Sequence, residues 1–431
     1  METRANDRIA LRRLDMSLHS FARWRSLNRS APRRETHLVM RRQISTEEHL
    51  SSEVVMRVGR RTEGRVILIA AMAVQVPSFL HSQLLPNNAA CPKCQISSRT
   101  VVVLGVPDGP GSLENPNLVY LDPRGRFWVF DPETMPRIYE PNGKFIKEAG
   151  RPGQGPGELE APSYLWNLSG DSVVVVDGGF RLHVFDPALR YVRSITTPVR
   201  APSSTVVLNW PRNVVAAAFD RSPARVRFPL HAMDFSGQAP KAVQSFGHAQ
   251  TAAGPDEMSL ETRYRLIPAR DGGYWAGKMR AYEITKWSHS HTEEFSLTRK
   301  PDWFQGPSNL STGGPTKAPS PSLMGLFEDQ RGLLWVFFFV PSPNWQDAYK
   351  RFPASALRGT GELPSNVVDW HLIFHTRIDV IDPKAKRLII SQTLPLQASS
   401  ILRDGRVAVP THTSDGVPTV RILQLSLVAY P

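Results

Sequence analysis

Two short segments contain histidines at spacings suited to binding a metal ion. His289 and His291 alternate in SHSHTEE (residues 288–294), and His371 and His375 lie four apart in DWHLIFH. Such spacings on a strand place the side chains on one face, and imidazoles with carboxylates are common ligands of divalent ions. Ordinary solvated histidines explain both segments as well. The sequence therefore offers these four histidines as candidate metal ligands and implies no other cofactor.

The only two cysteines, Cys91 and Cys94, form the motif CPKC. A CxxC pair can carry redox chemistry or half of a zinc site, but the chain has no second pair. A local structural disulfide is the favoured interpretation for an exported chain. Ala89-Ala90-Cys91 also resembles the end of a lipobox, although Asn88 stands where leucine is usual.

Compact catalytic motifs are missing from the sequence. It contains no G-x-S-x-G, H-E-x-x-H or phosphate-binding loop. The carboxylates of the loop Asp131–Pro136 and of the turn at Asp177 are further candidates, although ordinary turn chemistry accounts for them equally well. A catalytic site would have to be assembled from distant segments, so the elements that position these side chains matter.

A hairpin signature occurs twice, as DPRGRFWVF (residues 122–130) and DQRGLLWVF (residues 329–337). The Asp and Gly suit a tight turn, and the following aromatic and β-branched residues suit a half-buried strand. We expect Trp128 and Trp335 to occupy equivalent, buried positions.

Weaker copies of the turn recur along the chain. The expected turn positions are Gly125, Gly170, Asn213, Gly273, Gly332 and Gly405. Their spacing approaches the roughly 40–50 residues of a four-stranded propeller blade. The pattern predicts an all-β, six-bladed β-propeller of four-stranded antiparallel blades.

The segment GRPGQGPGELEAP (residues 150–162), followed by such a hairpin, resembles the blade linker of NHL-type repeats. More specifically, it is similar to secreted bacterial six-bladed β-propeller proteins, most of which have no assigned function. The resemblance extends over residues 99–431. It implies a propeller fold and export. We interpret the linker glycines as architectural, because they recur at the blade period.

The last blade is too short to be complete. After Gly405 the chain has room for the strands Arg406–Val409 and Thr419–Val428, short of a complete blade, and Thr100–Gly105 has the β-branched composition needed for another strand. We therefore expect the N- and C-terminal strands to pair and close the ring, which removes exposed sheet edges. Blade five carries a long insertion, residues 341–369, which either caps one face or is a decorated solvent loop.

The charge is concentrated near the N-terminus. Residues 1–65 contain fifteen arginines and eight acidic residues, and so hold +7 of the formal net charge of +13. A nucleic-acid-binding surface should instead appear as a basic stripe with aromatics on the folded domain. We therefore expect no nucleic-acid partner.

An export segment begins at Met56, where an arginine-rich stretch precedes the apolar run Val66–Val76. The run is shorter than the roughly 20 residues of a membrane span, so it predicts a signal peptide and no stable span. The expected organisation is an extension at 1–55, a signal peptide at 56–82, a linker with the CxxC at 83–98 and the propeller at 99–431.

These features favour an extracytoplasmic, monomeric binding or scaffold propeller without catalysis. Its ligand would be a protein, a peptide or a glycan held at one face of the ring. The alternative is a metal-dependent hydrolase or lyase similar to propeller lactonases, with a divalent ion at the central channel. Fold alone does not choose between them.

Overall fold

The computed structural model describes residues 82–132, 134–178, 180–199, 202–218, 220, 222, 224–248, 263–304, 316–350 and 370–429. The extension, all but the last residue of the expected signal peptide, and residues 351–369 of the insertion lie outside the described residues. Within them, no helix is long and apolar enough to cross a membrane.

Six sheets of antiparallel strands form the blades of a six-bladed β-propeller, as predicted. The first strands in the chain, β1 (Ser82–Leu84) and β2 (Cys94–Leu104), join blades built by later segments. Blade one contains β3 (Leu118–Leu121), β4 (Phe127–Phe130), β5 (Arg137–Tyr139) and β6 (Phe145–Glu148). The connection to blade two contains β7 (Arg151–Pro152) and β8 (Glu158–Leu159).

Blades two to six follow in chain order. Blade two contains β9 (Pro162–Asn167), β10 (Val173–Asp177), β11 (Arg181–Phe185) and β12 (Tyr191–Thr196), with a 3-10 helix at Ser169–Asp171. Blade three contains β13 (Ser204–Asn209), β14 (Asn213–Ala217), β15 (Leu230–Asp234) and β16 (Lys241–Phe246). Blade four contains β17 (Tyr264–Pro268), β18 (Tyr274–Lys278), β19 (Glu283–Trp287) and β20 (Glu293–Thr298). Blade five contains β21 (Ser322–Glu328), β22 (Leu334–Pro341), β23 (Phe374–Asp382) and β24 (Arg387–Leu394). Blade six contains β25 (Ser400–Ile401), β26 (Val407–His412) and β27 (Pro418–Ala429), completed by β2.

The two aromatic hairpins are equivalent, as expected. Asp122 accepts hydrogen bonds from two backbone amides of its turn, and the indole Nε1 of Trp128 donates to its second carboxylate oxygen at 3.2 Å. Asp329 and Trp335 repeat this arrangement with the same 3.2 Å contact. Both indoles are buried, at 0% and 5% exposure. The Asp therefore organises the turn and fixes the tryptophan of the strand that follows.

The expected turn positions hold in four blades and differ in two. Gly125, Gly170, Gly332 and Gly405 all have the positive φ that favours glycine. In blade three Asn213 is the first residue of β14, not part of the turn. In blade four Gly272 has the positive φ, whereas a Cβ at Gly273 would lie 2.2 Å from the carbonyl oxygen of Trp287. The absence of a side chain at Gly273 therefore allows its backbone to lie close to the carbonyl group of Trp287.

The first strand of each blade lies nearest the axis. These strands contact one another in sequence around the ring, β9 with β13, β13 with β17, β17 with β21, β21 with β25 and β25 with β3. The amide of Val119 donates to the hydroxyl of Ser400, and the amide of Leu266 donates to that of Ser204. The apolar core fills the seams between blades, where sheet faces pack together.

Closure of the ring is confirmed and longer than predicted. β2 pairs with β27 in antiparallel register from Cys94 opposite Ala429 to Leu104 opposite Val420. The expected linker, residues 83–98, also forms part of the sheets, because β1 pairs in parallel with β20 of blade four. We call residues 82–104 the N-terminal strap, since they run along the outer edges of blades four, five and six.

The Cys91–Cys94 disulfide is present, and it lies within the strap. The amide of Cys91 donates to the carbonyl of Ile389 in blade five, and Cys94 begins the closing strand of blade six. The expectation that this disulfide lies outside the ring is therefore corrected. Exposed outer strand edges offer unpaired backbone groups, and the strap satisfies them.

Strand order divides the loops between two faces. Turns after the first and third strands lie on one face, which we call the turn face, and the remaining loops and blade connections lie on the other. The insertion of blade five follows its second strand. Its described part contains α1 (Asp347–Lys350), and α2 (Trp370–Ile373) directly follows the insertion. Tyr349, Ile373 and Phe374 pack together where these ends meet.

Candidate functional site

The structure places His289 and His291 in the turn between β19 and β20, in separate environments. His289 Nδ1 lies 3.2 Å from the carbonyl oxygen of Gly272, and the side-chain amide of Asn213 lies 3.4 Å from its Nε2. His291 stacks on Phe246 with ring centroids 4.9 Å apart. Burial lowers the pKa of His291, and the neighbouring His289 contributes to the shift. The two rings therefore have different partners.

The other two histidines do not share a strand. His371 belongs to α2, whereas His375 belongs to β23 opposite Val340. Burial lowers the pKa of His375. The helix ends one residue before the strand begins, so the expectation of one strand face is corrected. In the part of the chain that the structure describes, no group of three or more His, Cys, Asp or Glu side chains could hold a metal ion.

The rim carboxylates Asp131 and Asp177 hold incoming connections in place. One oxygen of Asp131 accepts hydrogen bonds from the amides of Glu114 and Asn115 at 3.2 and 2.7 Å. One oxygen of Asp177 does the same for the two residues before β9, at 2.9 and 2.5 Å. Asp177 ends the second strand of its blade and Asp131 directly follows that of blade one, and each ties the strand to the segment leading into the first.

Ser194, His183 and Asp177 form a chain of contacts that has the order of a catalytic triad. Ser194 Oγ lies 3.1 Å from His183 Nδ1, and His183 Nε2 lies 3.5 Å from Asp177 Oδ2. Burial opposes ionisation of Asp177, but the nearby His183, hydrogen bonds from two backbone amides and the charge of Arg181 lower its pKa overall.

The same blade position carries a polar pair in the next three blades. The pairs lie directly opposite on the third and fourth strands, and they are His231 with Ser245, Thr285 with Ser296, and Asp379 with Ser391. A contact repeated at the blade period is explained by architecture. We therefore assign Ser194 and His183 to the packing of blade two.

A cleft of about 1020 Å³ opens between blades four and five on the turn face. Its lining comes from the edge strand β1, from three strands and two turns of blade four, and from β21 and two turns of blade five. Its lining includes the charged residues Asp271, Lys286, Glu294, Glu328, Lys384 and Lys386 and the aromatic residues Trp275 and Phe295. We call this space the blade 4–5 cleft.

Lys286 lies at the base of the blade 4–5 cleft with its charge compensated. Its Nζ lies 2.8 Å from Asp271 Oδ1 and 3.5 Å from Glu294 Oε2, and its side chain is 4% exposed. It also lies 5.8 Å from the ring centroid of Trp275. Burial raises the pKa of Asp271, but hydrogen bonds from Lys286 and the Gly273 amide lower it overall.

The two walls of the cleft differ in charge. On the blade-four side, Asp271 and Glu294 keep 61% and 41% of their side chains exposed. On the blade-five side, Lys384 and Lys386 are exposed, and neither forms an ion pair with any described residue. Glu328 of blade five accepts a hydrogen bond from the Trp275 indole at 2.9 Å and so joins the walls.

Sequence analysis did not identify this cleft. Its lining residues run from Gln83 to Lys386 and belong to no compact motif. The local signal in the sequence is the basic segment PKAKR, residues 383–387, which forms the turn between the last two strands of blade five and begins the last strand.

Comparisons with known proteins show the fold. No protein-family model matches the chain, and no curated protein matches its sequence. A solved member of the DUF4221 family from Bacteroides vulgatus is 9% identical with a TM-score of 0.50, covering 78% of this chain and 99% of that one. A protein from Bacteroides fragilis described as exported is 10% identical with a TM-score of 0.48, covering 80% and 99%. Virginiamycin B lyase from Staphylococcus aureus is 10% identical with a TM-score of 0.41, covering 78% and 100%.

Proposed function

We propose that this protein is an exported, non-catalytic binding propeller that holds a polypeptide segment bearing charges of both signs in the blade 4–5 cleft. The observation that carries the proposal is the separation of charge across the cleft. Partly exposed carboxylates lie on the blade-four wall, and unpaired lysines lie on the blade-five wall. Complementary charges orient a ligand and select it against like-charged competitors.

The aromatic groups of the cleft favour a peptide over a glycan. Sugar recognition commonly uses an exposed aromatic face, but Trp275 is only 2% exposed. Its ring is flanked by Lys286 and meets Phe295 edge to face at 5.8 Å. The tryptophan therefore forms part of the wall, and the polar groups above it are the ones available to a ligand.

Export is supported by residues outside the cleft. The arginine-rich stretch and apolar run that begin at Met56 have the composition of a signal peptide. The Cys91–Cys94 disulfide suits an oxidising compartment. We place the protein outside the cytoplasm, and we propose that it acts as a monomer whose partner is a protein or peptide.

Binding of short charged peptides tests the proposal. Fluorescein-labelled hexapeptides with alternating Lys and Glu, with Lys only, with Glu only, and with Gly and Ser are titrated against the protein by fluorescence anisotropy. We expect the alternating peptide to bind most tightly. Reversing both free lysines, Lys384→Glu with Lys386→Glu, should weaken it about tenfold, as loss of two partly exposed charge pairs implies.

Lys144→Glu is the matched control, because Lys144 occupies the corresponding turn of blade one. Equal binding of all four peptides, or an equal effect of the control, would contradict the proposal.

Metal analysis of the purified protein distinguishes a binding protein from the alternative, a metal-dependent enzyme. A stoichiometric divalent ion with ligands from three or more blades would favour the hydrolase or lyase.

A further inference from the structure

The central channel contains an arginine whose charge is not compensated. Arg265 lies on β17, the first strand of blade four, and its Nη1 donates to the carbonyl oxygen of Ser203 at 3.0 Å. Its Nε is buried and has no hydrogen-bond partner. Among the described residues, no carboxylate forms an ion pair with it. Burial lowers the pKa of Arg265, but a guanidinium stays charged in proteins.

Arg265 is half-buried, and three cations that are buried more deeply have carboxylate partners. Arg126 pairs with Asp122 at 2.6 Å, Lys286 pairs with Asp271, and Arg299 pairs with Asp379. Removing a charge from water is expensive unless an opposite charge or several hydrogen bonds replace the solvent. Arg265 therefore lacks the carboxylate partner that these three cations have.

Tyr120 and Tyr164 share this region of the channel with Arg265. Tyr120 lies on the first strand of blade one, and Tyr164 on the first strand of blade two. Both interact electrostatically with Arg265. Blades one and four are opposite in a ring of six, so a side chain from each can approach the other only across the axis. The three side chains therefore converge inside the channel.

The tyrosine hydroxyls are suited to donating hydrogen bonds. Burial, followed by the neighbouring Tyr164, raises the pKa of Tyr120, so its phenol stays protonated. Within the described ranges, neither hydroxyl has a hydrogen-bond partner. A neutral phenol beside a guanidinium adds a donor without adding negative charge.

We propose that the central channel binds a carboxylate or phosphate group between Arg265, Tyr120 and Tyr164. The planar fork of a guanidinium matches two oxygens of either group, and charge-assisted hydrogen bonds to it are stronger than neutral ones. Since Nε is sealed from solvent, an anion would bind the outer guanidinium nitrogens and supply the opposite charge that no described carboxylate supplies. This site is separate from the blade 4–5 cleft and does not depend on the function proposed for that cleft.

Titration with simple anions tests the site. The full-length protein is titrated with inorganic phosphate, with acetate and with chloride at constant ionic strength, and binding is followed by isothermal titration calorimetry and by the melting temperature. We expect saturable binding of phosphate or acetate at one site per chain, with chloride giving no comparable signal. Arg265→Gln should weaken that binding at least tenfold.

Arg193→Gln is the matched control, since Arg193 is an exposed arginine of β12 without an ion-pair partner among the described residues. Lys384→Glu with Lys386→Glu should leave anion binding unchanged, which separates this site from the cleft. If Arg265→Gln does not fold, Tyr120→Phe should still weaken binding several-fold. Absence of saturable binding by both anions, or equal weakening in the Arg193 control, would overturn the proposal.

Discussion

Two arginines, Arg299 and Arg265, differ in whether a carboxylate pairs with the guanidinium. Arg299 follows β20 and lies in the seam between blades four and five, where it pairs with the carboxylate of Asp379. Its Nε donates to Asn87 of the strap at 3.1 Å, and Tyr282 donates to the same carboxylate at 2.7 Å. Arg265 lies in the channel with one carbonyl partner.

The difference indicates which buried charges serve the fold and which are available to a ligand. In the seam, every group of the ion pair has a partner from a neighbouring blade or from the strap, so the charges hold the blades in register. In the channel, no carboxylate of the described residues forms an ion pair with the arginine. Substitution of a seam residue should therefore lower the free energy of unfolding more than substitution of Arg265.

The largest effect should come from Asp379→Ala. Asp379 is fully buried, and its loss leaves Arg299 and the Tyr282 hydroxyl without their acceptor. We expect a loss of about 3–5 kcal/mol in the free energy of unfolding, measured by urea denaturation. Replacing both charged partners, Asp379→Leu with Arg299→Met, should cost less than the single change. A loss within experimental error would show that the seam does not depend on the pair.

Asp177→Asn should have the next largest effect, about 1–3 kcal/mol, because it removes a buried acceptor of several hydrogen bonds. The pKa of Asp177 is lowered in the fold. Its stabilisation is therefore complete above the unfolded pKa of about 4 and is lost as the pH falls through the folded pKa. Denaturation at several pH values should show the difference between wild type and variant shrinking on acidification. A constant difference would contradict this.

Arg265→Gln should change the free energy of unfolding by no more than about 1 kcal/mol in anion-free buffer, because no ion pair is lost and a desolvated charge is removed. The measurement is the same urea denaturation. Saturating phosphate or acetate should then stabilise wild type but not the variant. A destabilisation as large as that of Asp379→Ala would place Arg265 among the structural charges.

The smallest effect should come from Arg331→Ala. Arg331 pairs with Asp329 at 2.9 Å, but its side chain is 58% exposed. Exposed pairs contribute little, so we expect a change below about 0.5 kcal/mol. The backbone amides and the Trp335 indole still hold Asp329 in place. A loss above that level would show that this exposed pair also orders the turn.

Much of the fold could be predicted because it depends on local chemistry. An Asp and a Gly at fixed spacing favour a turn, and the residues that follow suit a strand. The equivalence of Trp128 and Trp335 could therefore be predicted from the sequence. The predicted closure also held, since a short last blade requires another strand. Local rules failed in blade four, where Gly273 serves a close approach to Trp287 instead of the turn.

By itself the sequence determined the all-β class, the number of blades, the pairing of the chain ends and the expected pairing of Cys91 with Cys94. The tertiary structure alone decided which charges meet. Lys384 faces Asp271 across a cleft, and Tyr120 meets Arg265 across the axis, because ring closure joins segments more than a hundred residues apart. The physical reason is one of range. Turn and strand preferences act within a few residues, whereas the partner of a buried charge is set by the packing of whole blades.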